Sequence, residues 1–225
     1  MNWLLKFLTS SIGQKIVMAL TGLFLILFLL VHLIGNLQIL SSDGGKSFNL
    51  YTEFMSHNPV IQTISKGNFF FILLHAVVGI LIAWKNRRSK GSGYAVRSRD
   101  DTSWASRNMA ALGGIILAFI IMHLGHFWYR FKYGSELVMT SYDGVEILDA
   151  YQHVVIVFSQ PVWIAAYLVG LVVLSYHLIH GFASAFQTLG MNHKKYTPIV
   201  TGLGYAFAIV VPLAYAIIPI YIYFS

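Results

Sequence analysis

Long uncharged stretches alternate with short polar segments along most of this chain. Five hydrophobic stretches contain no Asp, Glu, Lys or Arg: Ile16–Ser42, Gly67–Trp84, Asn108–Tyr129, Ala150–His193 and Tyr196–Ser225. Each is long enough for a helix that crosses a bilayer, which takes about 20 residues. We therefore predict an all-α membrane protein, a single domain over residues 1–225, with transmembrane helices I to V at roughly residues 16–40, 67–85, 108–130, 161–189 and 197–222.

Prolines and the amino-terminal residues refine this pattern. Pro161 suits the first turn of a helix, so helix IV is expected to begin there, with residues 150–160 outside it or along the interface. Pro198, Pro212 and Pro219 predict kinks in helix V or a late start. The first ten residues place apolar side chains beside Lys6, which predicts an interfacial segment.

Positive charge in the loops is concentrated on one side of the predicted membrane. Basic residues precede helix I, dominate the segment Lys85–Arg107 between helices II and III, and recur at Lys194 and Lys195 between helices IV and V. Lys and Arg favour cytoplasmic loops. The amino terminus is therefore expected in the cytoplasm and the carboxyl terminus outside, in the cytoplasmic membrane of a bacterium.

Composition agrees with a membrane location and excludes several kinds of site. Hydrophobic residues make up 57% of the chain and charged residues only 10%, against about 25% charged residues in soluble domains. The net charge of +7 lies in loops beside apolar stretches, so we assign it to topology and to contacts with lipid or a partner subunit rather than nucleic acid. The chain has no cysteine, which excludes thiolate metal sites, c-type haem attachment and iron–sulfur clusters within it.

Histidines lie inside four of the five helices. They are His32 in helix I, His75 in helix II, His123 and His126 in helix III, and His177 and His180 in helix IV. A lone histidine in a membrane helix is more often a packing residue, but a four-helix bundle holds cofactors between facing helices. Four imidazoles make two bis-histidine sites, which predicts two haems b. Without cysteine or a carboxylate cluster, zinc and di-iron sites fit poorly.

The depth of each histidine suggests how they pair. His32 lies 17 residues after Lys15 and His123 lies 16 after Arg107, which places both about 25 Å from the inner surface. His75 lies 10 residues before Lys85, or about 15 Å from that surface. His32 and His123 therefore form an outer level and His75 an inner level. Depth alone slightly favours His180 over His177 as the partner of His75.

Several motifs together resemble a known family. They are Ser11-Ile12-Gly13-Gln14-Lys15, His32-Leu33-Ile34-Gly35-Asn36-Leu37, His75, His123-Leu124 with Phe127-Trp128, and His177-x-x-His180-Gly181-Phe182. The chain resembles the di-haem cytochrome b membrane-anchor subunit of succinate:quinone oxidoreductases, the succinate dehydrogenases and fumarate reductases, in its single-chain five-helix form. The resemblance implies axial ligation of haem iron by His32, His75, His123 and His177. It leaves His126 and His180 beside the ligands, and packing is the favoured role for both.

The resemblance also implies a place in a respiratory complex. The chain would pass electrons between two partners, a flavoprotein with FAD and an iron–sulfur subunit, and membrane quinone, with menaquinone expected. Succinate oxidation or fumarate reduction would then occur on the partners, so the chain is the quinone-reactive, non-flavin subunit of the enzyme and has no dehydrogenase site itself. The basic segment Lys85–Arg107 and the loop His193–Lys195 are expected to face the iron–sulfur subunit or inner-leaflet lipid.

Quinone chemistry is expected on the outer side, close to the His32–His123 pair. A quinone site needs a polar group that can exchange protons, and residues 36–66 supply candidates. Glu53 and His57 are four residues apart and would share a face if that segment is helical. The direct alternative is an inner-side site beside helix IV and the basic loop.

Three other functions remain open from the sequence. The chain could be the cytochrome b anchor of a hydrogenase, a formate dehydrogenase or another respiratory dehydrogenase, which shares the same histidine arrangement. It could be a haem-free proton-coupled transporter whose histidines relay protons, or a structural anchor without haem. A haem spectrum of the purified chain separates the cytochromes from the other two.

Overall fold

Five helices dominate the structure, a computed structural model in which residues 2–89, 104–134 and 137–225 are described. Each is long and apolar enough to cross a membrane, and they run over Ser11–Leu40, Pro59–Arg88, Trp104–Tyr133, Pro161–Thr188 and Thr197–Phe224. The prediction of a helical, multi-pass membrane protein is therefore confirmed. Part of the predicted basic segment Lys85–Arg107, residues 90–103, lies outside the described part of the chain. Residue 136 lies outside it as well.

The helices of the described ranges are numbered in chain order. They are α1 (Trp3–Thr9), α2 (Ser11–Asn36, extended by a 3-10 turn at Leu37–Leu40), α3 (Lys46–His57), α4 (Pro59–Ser89), α5 (Trp104–Leu124, followed by a π-helical turn at Gly125–Tyr129), α6 (Arg130–Tyr133), α7 (Ala150–Phe158), α8 (Pro161–Thr188) and α9 (Thr197–Phe224). A hairpin of β1 (Met139–Tyr142) and β2 (Val145–Leu148) precedes α7. Helices I to V of the prediction correspond to α2, α4, α5 with its π turn and α6, α8, and α9.

The helix ends follow local sequence signals. The Ser10 side chain accepts a hydrogen bond from the amide of Gly13 at 3.0 Å and so caps α2. Pro161 stands at the first turn of α8, as predicted. α9 begins at Thr197 and continues through Pro212 and Pro219. α4 begins at Pro59 rather than near residue 67, so Lys66 belongs to this helix and not to a loop.

Contacts between the long helices close a ring. α2 packs against α4 and α8, and α5 packs against the same two helices from the other side. α9 lies outside this ring, against α8 and α2. Close approach between α5 and α8 depends on Gly170, because a Cβ atom there would overlap the ring of Phe119. Side chains on the facing sides of α2, α4, α5 and α8 therefore meet in a common interior.

A cap covers the ends of the long helices near His32 and His123, the side predicted to be the outer one. We define the cap as α3, the β-hairpin and α7. Its apolar residues pack with the ends of α8 and α9 in one cluster that includes Ile39, Phe48, Phe158 and Ile218. Asn49 is 1% exposed and ties the cap together. Its Nδ2 donates to Asp149 at 2.9 Å and to the Tyr142 hydroxyl at 3.2 Å, and its Oδ1 accepts from the amide of Tyr151.

Candidate functional site

The outer pair consists of His32 on α2 and His123 on α5. Their ring centres are 5.8 Å apart and their planes are nearly perpendicular, at 88°. Aromatic rings enclose both imidazoles: Phe28 stacks on His32 at 5.2 Å and Phe119 on His123 at 6.0 Å. The structure thus brings together the two histidines that their depth in the sequence predicted as partners.

The inner pair consists of His75 on α4 and His177 on α8. Their ring centres are 6.3 Å apart, and the planes are inclined by 67°. A Cβ atom at Gly22 of α2 would approach His75 Cε1 to 3.3 Å, so a small residue is needed where α2 passes this ring. The histidine beside His75 is thus His177. The family motif indicated His177 as the partner, whereas depth alone slightly favoured His180.

The two pairs lie at different levels of the helix ring. On α2, Thr21 contacts His75 of the inner pair, while His32 of the outer pair lies 11 residues later. On α8, Tyr167 contacts His123 of the outer pair, while His177 lies 10 residues later. A rise of about 1.5 Å per residue separates the levels by about 15 Å on both helices. Two independent helices thus give the same spacing.

Hydroxyl groups approach one ring of each pair, and sequence reasoning missed both. Thr21 Oγ1 lies 3.0 Å from His75 Nδ1. The Tyr167 hydroxyl lies 3.4 Å from His123 Nδ1 and 3.2 Å from His126 Nδ1. The available signal was weak: each is a hydrogen-bonding residue within an apolar span, but the sequence does not show which helix face it occupies.

The remaining rings of the two pairs differ in their polar contacts. The Asn36 amide nitrogen lies 3.5 Å from His32 Nδ1, at the limit of a hydrogen bond, and donates to the His32 carbonyl at 2.7 Å. His177 Nδ1 is buried and has no hydrogen-bond partner among the described residues. A buried polar atom without a partner is costly, and His177 is the one ring of the two pairs whose Nδ1 lacks a contact among the described residues.

The other histidines of the spans occupy supporting positions. His126 packs edge-on against Trp163 with ring centres 4.4 Å apart, and its backbone carbonyl lies 2.8 Å from Nε2 of His153. His153 on α7 therefore lies at the same end of the site as His126. His180 is half-buried on α8, one turn beyond His177.

Glu53 and His57 lie on α3, which makes the conditional prediction of a shared helical face correct. Glu53 Oε1 and His57 Nδ1 are 3.0 Å apart, and their side chains are 37% and 74% exposed. This pair belongs to the cap and not to the interior of the helix ring. It is exposed at the end of the helix bundle that is predicted to face outwards, where a proton-exchanging group was expected.

Two ionisable groups, one just before α3 and one within it, have shifted pKa values. The pKa of Asp43 is lowered, first by the hydrogen bond from the Ser47 hydroxyl and then by backbone amides at the start of α3. Burial raises the pKa of Tyr51, whose ring packs where a Cβ atom on Gly35 would otherwise lie. α3 is therefore anchored to the end of α2 that carries His32.

Within the described ranges, no three His, Asp or Glu side chains cluster in a way that would hold a bare metal ion. The polar groups of the interior are instead imidazoles in pairs. Comparisons with protein families, with curated proteins and with solved structures find no match to this chain. The function of this chain is therefore inferred from the geometry of the two histidine pairs and from the sequence motifs.

Proposed function

We propose that this chain is the membrane-anchoring cytochrome b subunit of a succinate:quinone oxidoreductase, and that it binds two haems b. The observation that carries the proposal is the presence of two imidazole pairs, one above the other, between four helices that enclose a common interior. One histidine in each of the four helices contributes to this arrangement, and α9, outside the ring, contributes none.

The geometry of both pairs fits axial ligation of one metal each. A bond from an imidazole nitrogen to a first-row metal is about 2 Å, so two imidazoles on opposite sides of one metal have ring centres about 6 Å apart. The observed separations are 5.8 and 6.3 Å. All four histidines are half-buried rather than fully packed. This partial burial leaves room beside the rings for a further group.

Haem b at the two pairs would supply one-electron redox chemistry. His32 with His123, and His75 with His177, would each hold one haem through their imidazole nitrogens. Under this proposal, the separation of about 15 Å between the levels would put one pair towards each side of the membrane.

The resemblance assigns the partners. The chain lacks cysteine and any dinucleotide fingerprint, so succinate oxidation or fumarate reduction belongs to a flavoprotein with FAD and an iron–sulfur subunit. Under this proposal they dock on the cytoplasmic face of a bacterial membrane, where the amino terminus lies. Arg87 and Arg88 end α4 on that face. Lys85 has a further role, because its Nζ donates to Gln14 at 3.0 Å and holds α4 to α2.

Quinone, with menaquinone expected, would react near the outer pair. Glu53 and His57 are the proposed proton-exchanging residues, and their exposure on α3 supports that role. An inner-side site is the competitor. A cavity of about 130 Å³ lies between the adjoining ends of α8 and α9 and is lined by Gln187, Asn192 and Thr197. Quinone-linked turnover should fall in Glu53→Gln or His57→Ala with normal haem content. Unchanged turnover in both removes these residues from the mechanism.

A haem determination on the purified native complex tests the main proposal. A pyridine haemochrome assay should give two haems b per chain, and the same preparation should contain FAD and iron–sulfur clusters on copurifying subunits. One haem or none in the intact complex would contradict it. Haem with a hydrogenase or formate dehydrogenase as the partner would instead favour the anchor of another respiratory enzyme. A haem-free chain would favour a proton-coupled transporter or a structural anchor.

A further inference from the structure

A hydroxyl group meets the Nδ1 atom of one imidazole in each pair, and the two hydroxyls come from different helices. Thr21 of α2 contacts His75, and Tyr167 of α8 contacts His123. We infer that Thr21 and Tyr167 are positioning residues that hold these rings with the proton on Nδ1 and a free lone pair on Nε2. The inference deepens the proposed function and rests on it, since the free Nε2 is the atom offered to the metal.

The direction of the hydrogen bond at His75 follows from the other contact of Thr21. The Thr21 hydroxyl lies 2.7 Å from the Val17 carbonyl, which can only accept. A hydroxyl has a single hydrogen, and the shorter contact with the carbonyl takes it. Thr21 Oγ1 therefore accepts from His75, and Nδ1 of that ring carries the proton.

The environment of Thr21 favours this arrangement. The residue is 3% exposed, so water does not compete for the hydroxyl. A threonine in a helix commonly donates to the carbonyl one turn earlier, which fixes where its lone pairs point. The neighbouring Gly22 lets α2 pass close to the ring, because any Cβ atom there would meet His75 Cε1 at 3.3 Å.

The direction at His123 follows from a chain of three groups. The Tyr167 hydroxyl lies between Nδ1 of His126, at 3.2 Å, and Nδ1 of His123, at 3.4 Å. The hydroxyl has one hydrogen and can also accept. In the arrangement that we infer, it donates to Nδ1 of His126, the nearer ring, and accepts the Nδ1 proton of His123. His126 is then the residue that orients the tyrosine hydroxyl.

Packing holds this chain of groups in place. Tyr167 is 5% exposed, and its ring contacts Phe119 at 5.3 Å and Phe158 at 4.9 Å. His126 is fixed by Trp163 and by the contact of its carbonyl with His153. His123 and His126 are three residues apart and share a helix face, which lets both Nδ1 atoms reach one hydroxyl.

A hydrogen bond at Nδ1 changes the ligand properties of the ring. It fixes the tautomer and makes the metal-binding nitrogen more basic, and loss of such a bond typically lowers metal affinity about 10- to 100-fold. A more basic ligand favours the oxidised metal. Removing the Thr21 hydroxyl should therefore raise the midpoint potential of the inner haem, and removing the Tyr167 hydroxyl should raise that of the outer haem.

The experiment is a redox titration of the two haems in the purified native complex, resolved by EPR. Thr21→Val should raise the inner potential only and weaken retention of that haem about 10- to 100-fold, while Thr21→Ser should keep wild-type values. Tyr167→Phe should do the same for the outer haem. Thr63→Val and Tyr176→Phe are matched controls, because their side chains lie away from both pairs. Unchanged potentials in Thr21→Val and Tyr167→Phe, with both haems retained, would overturn the inference.

A second measurement separates this inference from the proposed function. Nitrogen-15 NMR of the full chain with labelled histidine, prepared without haem in lipid nanodiscs, reports which ring nitrogen of His75 and His123 carries the proton. Protonation at Nδ1 in the wild type, lost in Thr21→Val for His75 and in Tyr167→Phe for His123, supports the positioning role. Protonation at Nε2 in the wild type overturns it, whatever the haem content of the complex. Absence of haem from the native complex overturns the proposed function alone.

Discussion

The outer and inner histidine pairs are held in different ways, although both consist of two imidazoles about 6 Å apart. The outer pair lies among aromatic rings, and its polar contacts pass through Tyr167 and His126 towards the cap. The inner pair has one short contact, from Thr21, whose hydroxyl is bound to its own helix backbone. The outer pair therefore depends on tertiary packing, and the inner pair depends mainly on local helix geometry.

This difference follows from the surroundings of each level. The cap of α3, the β-hairpin and α7 packs against the outer ends of the spans, so many side chains converge there. At the inner level the described contacts come from the long helices themselves, with Gly22 allowing a close approach. Changes in the cap should consequently reach the outer pair and leave the inner pair nearly unaffected.

The largest expected effect is the loss of one haem when one proposed ligand is replaced. If the proposal is correct, His177→Ala should remove the inner haem alone and His123→Ala the outer haem alone, because each pair would lose one of its two proposed ligands. Haem content of the purified complex should fall from two to one in each variant. His57→Ala and His180→Ala are the controls and should keep both haems. Loss of both haems in either ligand variant would show that the levels are not independent.

Much of this arrangement could be predicted from the sequence, for identifiable reasons. Uncharged length gives the number of spans, and the basic residues that end the spans give the depth of each histidine, so His32 with His123 followed from spacing alone. An apolar run, however, marks the lipid-facing part of a helix and not its full length. That is why α4 begins at Pro59, about two turns before the uncharged run starts at Gly67.

Other features could not be predicted from the sequence, because they depend on how one helix is rotated against another. Thr21 and Tyr167 are unremarkable in sequence, and only the packing of α2 on α4 and of α5 on α8 brings them to the imidazoles. Depth could not separate His177 from His180, because they are less than one turn apart. The β-hairpin has a recognisable sequence signal in Asp143-Gly144, a pair common in two-residue hairpin turns. These residues form the turn, with φ of 53° and 81°.

The second prediction compares glycines beside the two pairs. Gly170→Ala places a Cβ atom against Phe119, which stacks on His123, and such overpacking costs about 1–3 kcal/mol. Gly22→Ala meets only His75 Cε1 at 3.3 Å, so its cost should be smaller. The temperature at which a haem spectrum is lost should therefore fall in both variants. The fall for the outer haem in Gly170→Ala should be larger than the fall for the inner haem in Gly22→Ala. Gly113→Ala is the control, since nothing lies within 4 Å of its added Cβ.

The third prediction concerns the polar centre of the cap. Asn49→Ala removes three hydrogen bonds and leaves Asp149, Tyr142 and the Tyr151 amide to find other partners. We expect a loss of roughly 1–2 kcal/mol in stability, because water can replace part of this network. Protease cleavage of the cap should become faster, and the outer haem should become less stable to heat.

The inner haem is the internal control for that variant. Asn108→Ala is the external one, since among the described residues the Asn108 amide donates to its own helix backbone, at the Trp104 carbonyl. Equal destabilisation of both haems in Asn49→Ala would show that the cap supports the whole ring of helices rather than its outer level.

The smallest expected effect is a pH dependence at the start of α3. Asp43 accepts hydrogen bonds from the amides of Gly45 and Ser47, and its pKa is lowered. A carboxyl group with a lowered pKa stabilises the folded state above its usual pKa of about 3.9, and that contribution is lost as the pH falls through the lowered value. Asp43→Asn should therefore speed amide hydrogen exchange in the first turn of α3 at pH 7. The difference from wild type should disappear in acid, once the carboxyl group is protonated.

Because Asp43 is solvent-exposed, the effect should stay within α3 and leave both haem potentials unchanged. A difference that persists at low pH would mean that Asp43 acts through its shape rather than its charge, and a shift in the outer potential would show that even the solvent-exposed start of α3 is coupled to the outer pair.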